Sequence, residues 1–85
     1  MRHARAEALD RLEPLLVQLR ALPGLTEKSL GTFYRKSRAF MHFHEDPAGL
    51  FADVRDASGE DFERIEVSEA AARDRLLRIA AERNG

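Results

Sequence analysis

The stretch that decides the fold is residues 38–44, which read Arg38-Ala39-Phe40-Met41-His42-Phe43-His44. Its last four residues alternate between apolar side chains and histidines. In an extended strand, neighbouring side chains point to opposite sides. His42 and His44 are therefore predicted to share one face of a sheet, and Met41 and Phe43 to share the other. This pattern predicts a central strand with one apolar face and one face that carries two imidazoles.

Short extended runs, separated by turn residues, continue on both sides of this stretch. We predict four strands, at residues 31–35, 38–44, 50–55 and 62–67. The turns between them contain Lys36-Ser37, Asp46-Pro47 and Ser58-Gly59, and serine, aspartate, proline and glycine are common in turns. Because the connections are short, consecutive strands are expected to pair antiparallel, as the hairpins of a meander.

Leucines at helical spacing mark the region before the strands. They are Leu9, Leu12, Leu16 and Leu19, and Pro23-Gly24 follows them as a stop signal. Pro14 lacks an amide donor, so the helix either starts near Glu13 or kinks at Pro14. Residues 1–8 are expected to be mobile.

A second helix is predicted after the strands. Ser68 is a suitable N-cap, and the apolar stripe that follows consists of Ala72, Leu76, Ile79 and Ala80. The sequence therefore predicts one domain, residues 1–85, of the α+β class. Its expected architecture is a four-stranded antiparallel meander with N- and C-terminal helices on one face, in the order α-β-β-β-β-α.

Pairing His42 with Asp53 on the next strand assigns the strand residues to two faces. The aliphatic residues, among them Met41 and Val54, then face the helices. The opposite, open face collects aromatic, histidine and charged side chains: Phe33, Phe40, His42, His44, Phe51, Asp53, Arg55, Phe62 and Arg64. On this open face His42, Asp53 and Arg64 form one row across three strands.

Four phenylalanines on an uncovered face exceed the scattered apolar exposure of an ordinary monomer, and such a patch is typical of an interface. The sequence therefore predicts a non-enzymatic interaction module that forms a homodimer or binds another protein through the open face. The alternative is an ordinary sheet face, in which Asp53 bridges a histidine and an arginine and the rings simply fit a pleated surface.

A metal site is a second reading of the same face. His42 and His44 are two apart on one strand, and Asp53 lies opposite as a third candidate ligand, a set that suits zinc or another divalent transition metal. Arg64 would compete with the ion for Asp53. No other cofactor is predicted. In the absence of metal, we expect the carboxylate of Asp53 to raise the pKa of His42.

Nucleic-acid binding has a local basis at the first hairpin. Tyr34, Arg35, Lys36 and Arg38 place three cations and one aromatic ring around its tip, a composition suited to phosphate contacts. The third turn, with Asp56, Glu60 and Asp61, is expected at the same end of the sheet and would offset this charge. The net charge of the chain is −1, with a pI near 6.3, which disfavours a generally basic binder.

Enzymatic activity is not favoured by the sequence. There is no cysteine, and the hydroxyl residues Thr32, Ser37, Ser58 and Ser68 lie in no recognisable nucleophile motif. The chain contains neither a phosphate-binding loop nor a dinucleotide fingerprint. It also has no apolar run of about 20 residues and no signal-peptide core, so a cytoplasmic protein without membrane association is expected.

Several short segments resemble the front half of MmcQ/YjbR-type small α+β domains. They are Leu22-Pro23-Gly24-Leu25-Thr26-Glu27, Gly31 to Arg35, Arg38-Ala39-Phe40, His44-Glu45-Asp46 and Gly49 to Arg55. The resemblance implies consecutive hairpins and a double-wing fold like that of DNA-binding domains. The family's C-terminal segment, which bears a lysine, a histidine and a tryptophan, has no counterpart in these residues. The resemblance therefore implies the fold more than an activity.

Overall fold

The structure is a computed structural model that describes residues 2–84. Six strands and three helices follow one another along this part of the chain. They are β1 (Arg2–His3), α1 (Ala6–Arg11), α2 (Glu13–Arg20), β2 (Leu25–Ser29), β3 (Thr32–Arg35), β4 (Arg38–Asp46), β5 (Gly49–Arg55), β6 (Phe62–Glu66) and α3 (Ala70–Asn84). Among these residues, no helix combines the length and apolar character needed to cross a membrane.

The sheet is antiparallel, with strand order β2-β3-β4-β5-β6. β1 pairs with the end of β4 that extends past β3, where Arg2 lies opposite Glu45 and His3 opposite His44. The predicted fold class is confirmed, since an antiparallel sheet is combined with N-terminal and C-terminal helices. All four predicted strands are present, and two strands were missed: β1, with only two residues, and β2, whose residues are mostly exposed.

The N-terminal helical region is divided at Leu12. α1 ends at Arg11, and α2 begins at Glu13 with Pro14 in its first turn, where the missing amide of proline does no harm. Of the two alternatives that the sequence left open, the structure shows the start near Glu13, with a separate short helix before it. Of residues 2–8, which the sequence predicts to be mobile, Ala4 and Ala8 are buried and the Ala4 amide donates to the Phe43 carbonyl at 3.0 Å.

One hydrophobic core lies between the helices and one face of the sheet. Met41 and Val54 are fully buried in it together with the helix residues Leu16 and Leu76. The predicted register is also confirmed, because His42 pairs with Asp53 and Asp53 pairs with Arg64. The aliphatic residues of β4 and β5 therefore face the helices, and the row of His42, Asp53 and Arg64 lies on the open face.

The prediction that Phe33 and Phe40 lie on the open face is wrong. Phe33 pairs with Met41 and Tyr34 pairs with Ala39, so Phe40 is an extra residue in β4, a β-bulge. A slip of one residue moves a side chain to the other face of a sheet. Phe33 and Phe40 are consequently buried in the core, with 0% and 3% exposure.

Candidate metal centre

The open face brings together ionisable side chains from several strands. β4 contributes His42 and His44, β5 contributes Asp53, and β6 contributes Arg64. The antiparallel register places His42, Asp53 and Arg64 side by side. His44 lies two residues further along β4, on the same side of the sheet.

His44 stands at the centre of a group of three potential ligands. Its Nε2 lies 3.0 Å from Nδ1 of His42 and 2.9 Å from Oδ2 of Asp53. All three ligand atoms lie within 4.8 Å of one another. The structure therefore brings together the three residues that the sequence proposed as metal ligands.

Arg64 keeps the carboxyl group of Asp53 ionised. Its Nε donates to Oδ1 at 2.8 Å and its Nη2 donates to Oδ2 at 2.9 Å. Hydrogen bonding from Arg64 is the main reason why the pKa of Asp53 lies below its usual value, although burial opposes this effect. Asp53 is 7% exposed, so the arginine compensates a buried negative charge.

The positions of the hydrogens follow from this charge state. An ionised carboxylate only accepts hydrogen bonds, so Nε2 of His44 must carry the proton that lies between it and Asp53. Nδ1 of His42, 3.0 Å from the same nitrogen, then accepts and carries no proton. One proton thus lies among three atoms, and all three offer a lone pair when His44 carries that proton on Nδ1 instead of Nε2.

The predicted rise in the pKa of His42 is wrong. The pKa of His42 is lowered, chiefly because burial disfavours the charged imidazole and secondly because His44 is close by. The carboxylate of Asp53 acts in the opposite direction but is outweighed. The lowered pKa favours the neutral form of His42, which is the form of histidine that binds metal ions.

Aromatic and cationic groups border the cluster. The ring of Phe62 lies 5.2 Å from that of His42, centroid to centroid, and is 38% exposed. Arg55 stacks on Phe62, with its guanidinium carbon 4.3 Å from the ring centroid, and donates to the carbonyl of Ala39. Phe51 is half-buried beside His44, its partner in the β4–β5 pair. Seven of the nine predicted open-face residues are thus brought together, and Phe33 and Phe40 are not.

Sequence reasoning did not place His3 beside this cluster. β1 places it opposite His44, and the two rings contact edge to face with centroids 6.4 Å apart. A strand of two residues has no periodicity that a sequence pattern could reveal. The residue type was the only available signal, because His3 is the one remaining histidine of the three in the chain.

The basic hairpin tip is separate from this cluster. Arg35 donates to the carbonyl and side chain of Asn84, and Arg38 donates to the carbonyl of Gly59. Tyr34 is covered by Lys28, whose Nζ lies 4.6 Å from the ring centroid, while Lys36 is exposed at the turn. Two of the three predicted cations therefore hold neighbouring segments together. The contact between Arg38 and Gly59 also shows that the turn between β3 and β4 adjoins the turn between β5 and β6.

Comparison of the chain with protein-family models, with curated proteins and with solved structures finds no match. The fold and the site themselves define the class: a small α+β protein whose antiparallel sheet is covered by helices on one face and carries a histidine and aspartate cluster on the other.

Proposed function

We propose that this protein binds a divalent transition metal ion, with zinc as the first candidate, through His42, His44 and Asp53. The observation that supports this proposal most directly is the convergence of Nδ1 of His42 and Oδ2 of Asp53 on Nε2 of His44. A metal ion would take the place of the single proton that now lies among these atoms, and His44 would carry that proton on Nδ1 instead.

The donor set and its spacing fit such an ion. Two imidazole nitrogens and one carboxylate oxygen are ligands of zinc and of several other divalent transition metals. In a tetrahedral zinc site with bonds of ~2.0–2.1 Å, adjacent donor atoms lie ~3.3 Å apart. Here Nε2 of His44 lies 3.0 Å from Nδ1 of His42 and 2.9 Å from Oδ2 of Asp53. The widest separation in the set is within 4.8 Å and would have to close by up to roughly 1.5 Å.

Arg64 affects metal binding in two opposite ways. Arg64 fixes the orientation of the Asp53 carboxylate by two hydrogen bonds, as second-layer partners commonly do for metal ligands. Its positive charge also repels a cation. The side chain of Arg64 is 51% exposed, so solvent screens this repulsion and the expected consequence is a moderate affinity rather than exclusion of the ion.

Metal titration of protein stripped with a chelator tests the proposal. Calorimetry with Zn²⁺ and absorption spectroscopy with Co²⁺ are expected to show one site per chain. His42→Ala and Asp53→Asn should abolish binding or weaken it by at least about tenfold. Asp74→Asn, an exposed aspartate of α3, is the matched control and should bind as the wild type does. Absence of uptake by the wild type, or uptake that survives both ligand substitutions, would refute the proposal.

We propose self-association through the open face as a second function, in keeping with a non-enzymatic interaction module. Its support is the uncovered face itself, where the half-buried Phe51 and the exposed Phe62 lie beside the cluster. With Phe33 and Phe40 in the core, the exposed apolar area is smaller than the sequence suggested. Sedimentation of the wild type and of Phe62→Arg tests it: a dimer that the substitution dissociates is expected, and a monomer at all concentrations contradicts it.

A cytoplasmic location, a relationship to YjbR-type domains and nucleic-acid binding through Tyr34, Arg35, Lys36 and Arg38 stay predictions of the sequence. Salt-dependent DNA binding that is lost in a Lys36→Ala, Arg38→Ala double variant would favour the last of these.

A further inference from the structure

The start of the described chain is held beside the candidate metal centre, next to His44. Arg2 and His3 pair with Glu45 and His44 of β4. Two contacts secure this segment: Nε of Arg2 donates to Oε1 of Glu45 at 2.7 Å, and the amide of Ala4 donates to the carbonyl of Phe43 at 3.0 Å. His3 is therefore held beside His44 by contacts on both sides of it.

His3 lies on the same side of the sheet as the cluster. Residues that face each other in an antiparallel pair project from the same face, with Cβ atoms about 4.5–5.5 Å apart. The ring of His3 accordingly contacts the ring of His44 edge to face. The side chain of His3 is exposed, so the protein leaves it room to change rotamer.

We propose that His3 is the fourth protein ligand of the metal centre, so that β1 closes the site formed by His42, His44 and Asp53. The inference rests on the proposed metal-binding function. A set of three histidines and one carboxylate would complete a tetrahedral zinc site, and closed four-ligand sites serve structure, whereas catalytic sites keep an open position. The bound ion would then fasten β1 to the centre of the sheet.

Closure by His3 has a consequence in the backbone. Metal binding would hold the β1 and β4 strands together through side chains as well as through hydrogen bonds. The exchange of the Ala4 amide, which donates to Phe43, should therefore become slower in the zinc-bound protein. An ion held only by the other three ligands would leave this exchange unchanged.

The experiment compares the wild type with His3→Ala, His3→Cys and Arg5→Ala. Zn²⁺ and Co²⁺ are used, because Cu²⁺ and Ni²⁺ favour square-planar nitrogen donors, which the backbone around His3 could supply without the cluster. We expect His3→Ala to weaken zinc binding by at least about tenfold and to replace the intense tetrahedral Co²⁺ spectrum with a weak one. The thiolate of His3→Cys should restore affinity, and Arg5→Ala should behave as the wild type does.

Each remaining outcome overturns the inference in a recognisable way. If His3→Ala matches the wild type in affinity and spectrum while His42→Ala loses uptake, His3 is not a ligand but the proposed metal site stands. If zinc doubles the sedimenting mass of the wild type and of His3→Ala equally, a second copy of the protein supplies the fourth ligand. If the wild type takes up no metal, the proposed function fails and the role of His3 fails with it.

Discussion

Arg64 and Asp53 are joined by two parallel hydrogen bonds, from Nε to Oδ1 at 2.8 Å and from Nη2 to Oδ2 at 2.9 Å. The same Oδ2 lies 2.9 Å from Nε2 of His44. One carboxylate oxygen is thus shared between a guanidinium and an imidazole. Arg64 holds the carboxylate in place for a metal ion, and its charge opposes the ion's arrival.

Substitution of Arg64 by glutamine is expected to separate these two effects. Glutamine keeps a hydrogen-bond donor near Asp53 but removes the positive charge. We expect Arg64→Gln to tighten zinc binding by about fivefold at low ionic strength, as loss of a nearby like charge predicts, and to have less effect in high salt. Competition with a chromophoric chelator at two salt concentrations measures both quantities.

The control for this experiment is Arg75→Gln, which removes one charge from an exposed position on α3. It should leave the zinc affinity unchanged. Weaker zinc binding by Arg64→Gln, with the fold intact by circular dichroism, would show that orientation of the carboxylate matters more than the repulsion.

Truncation of two phenylalanines tests which face of the sheet is buried. Phe33 is fully buried and Phe62 is 38% exposed. We expect Phe33→Ala to lower the free energy of unfolding by about 3–5 kcal/mol, and Phe62→Ala to lower it by about 1 kcal/mol or less. Urea denaturation of both variants measures the difference. Equal losses would contradict the assignment of the two rings to opposite faces.

Alternation was sufficient to predict the sidedness of β5 and of β4 from Met41 onward, because the two strands keep a regular register there. It failed for Phe33 and for Phe40 because the bulge at Phe40 shifts the pairing by one residue, and no residue type at that point signals a bulge. The row of His42, Asp53 and Arg64 followed from the same register. The direction of the pKa shift of His42 did not, because it depends on burial, which a sequence pattern does not measure.

The turn between β2 and β3 requires glycine for two reasons that can be separated by experiment. Gly31 has φ +76°, and a Cβ at this position would lie 2.6 Å from Cδ2 of the buried Leu9. Gly59 has a similar φ, +77°, but nothing lies within 4 Å of its Cβ position. We expect Gly59→Ala to cost about 1 kcal/mol for the left-handed backbone alone, and Gly31→Ala to cost at least about 2 kcal/mol.

Leu9 provides a direct check on the origin of this difference. In a double-mutant cycle, Leu9→Ala should remove most of the extra cost of Gly31→Ala, because the atom that the new methyl group meets is gone. Additive effects of the two substitutions would show that the clash with Leu9 is not the cause.

The turn between β3 and β4 contains two non-glycine residues in the left-handed conformation, which lowers the stability of the protein. Lys36 and Ser37 both have positive φ, 52° and 68°, as a two-residue type I′ turn requires, and glycine or asparagine is preferred there. Ser37→Gly is expected to stabilise the protein by about 0.5–1 kcal/mol. The same substitution at Ser29, in β2, should destabilise it, since glycine weakens a strand. In thermal unfolding, we expect the melting temperature to rise for Ser37→Gly and to fall for Ser29→Gly. Destabilisation by Ser37→Gly would contradict the turn type.

Glu27 links α2 to the hairpin formed by β2 and β3, and its charge makes that link dependent on pH. Its carboxylate accepts from Nε of Arg20 at 2.6 Å and from the amide of Gly31 at 2.9 Å. The hydrogen bond from Arg20 is the main reason why the pKa of Glu27 lies below its ordinary value of 4.5. A carboxyl group with a lowered pKa in the folded state stabilises the protein above its unfolded-state pKa, and this contribution is lost as the pH falls through the folded-state pKa.

Glu27→Gln should therefore have a lower urea midpoint than the wild type at pH 7, and at pH 3 the gap should shrink to less than about half of its value at pH 7. The oxygen of the glutamine side chain can still accept the hydrogen bond from the Gly31 amide. The part of the difference in urea midpoint that changes with pH therefore measures the effect of the charge of Glu27. Glu82→Gln, an exposed position on α3, serves as the control and should follow the wild type at both pH values. A difference in urea midpoint that stays constant from pH 7 to pH 3 would mean that the charge of Glu27, and so its ion pair with Arg20, adds nothing to stability.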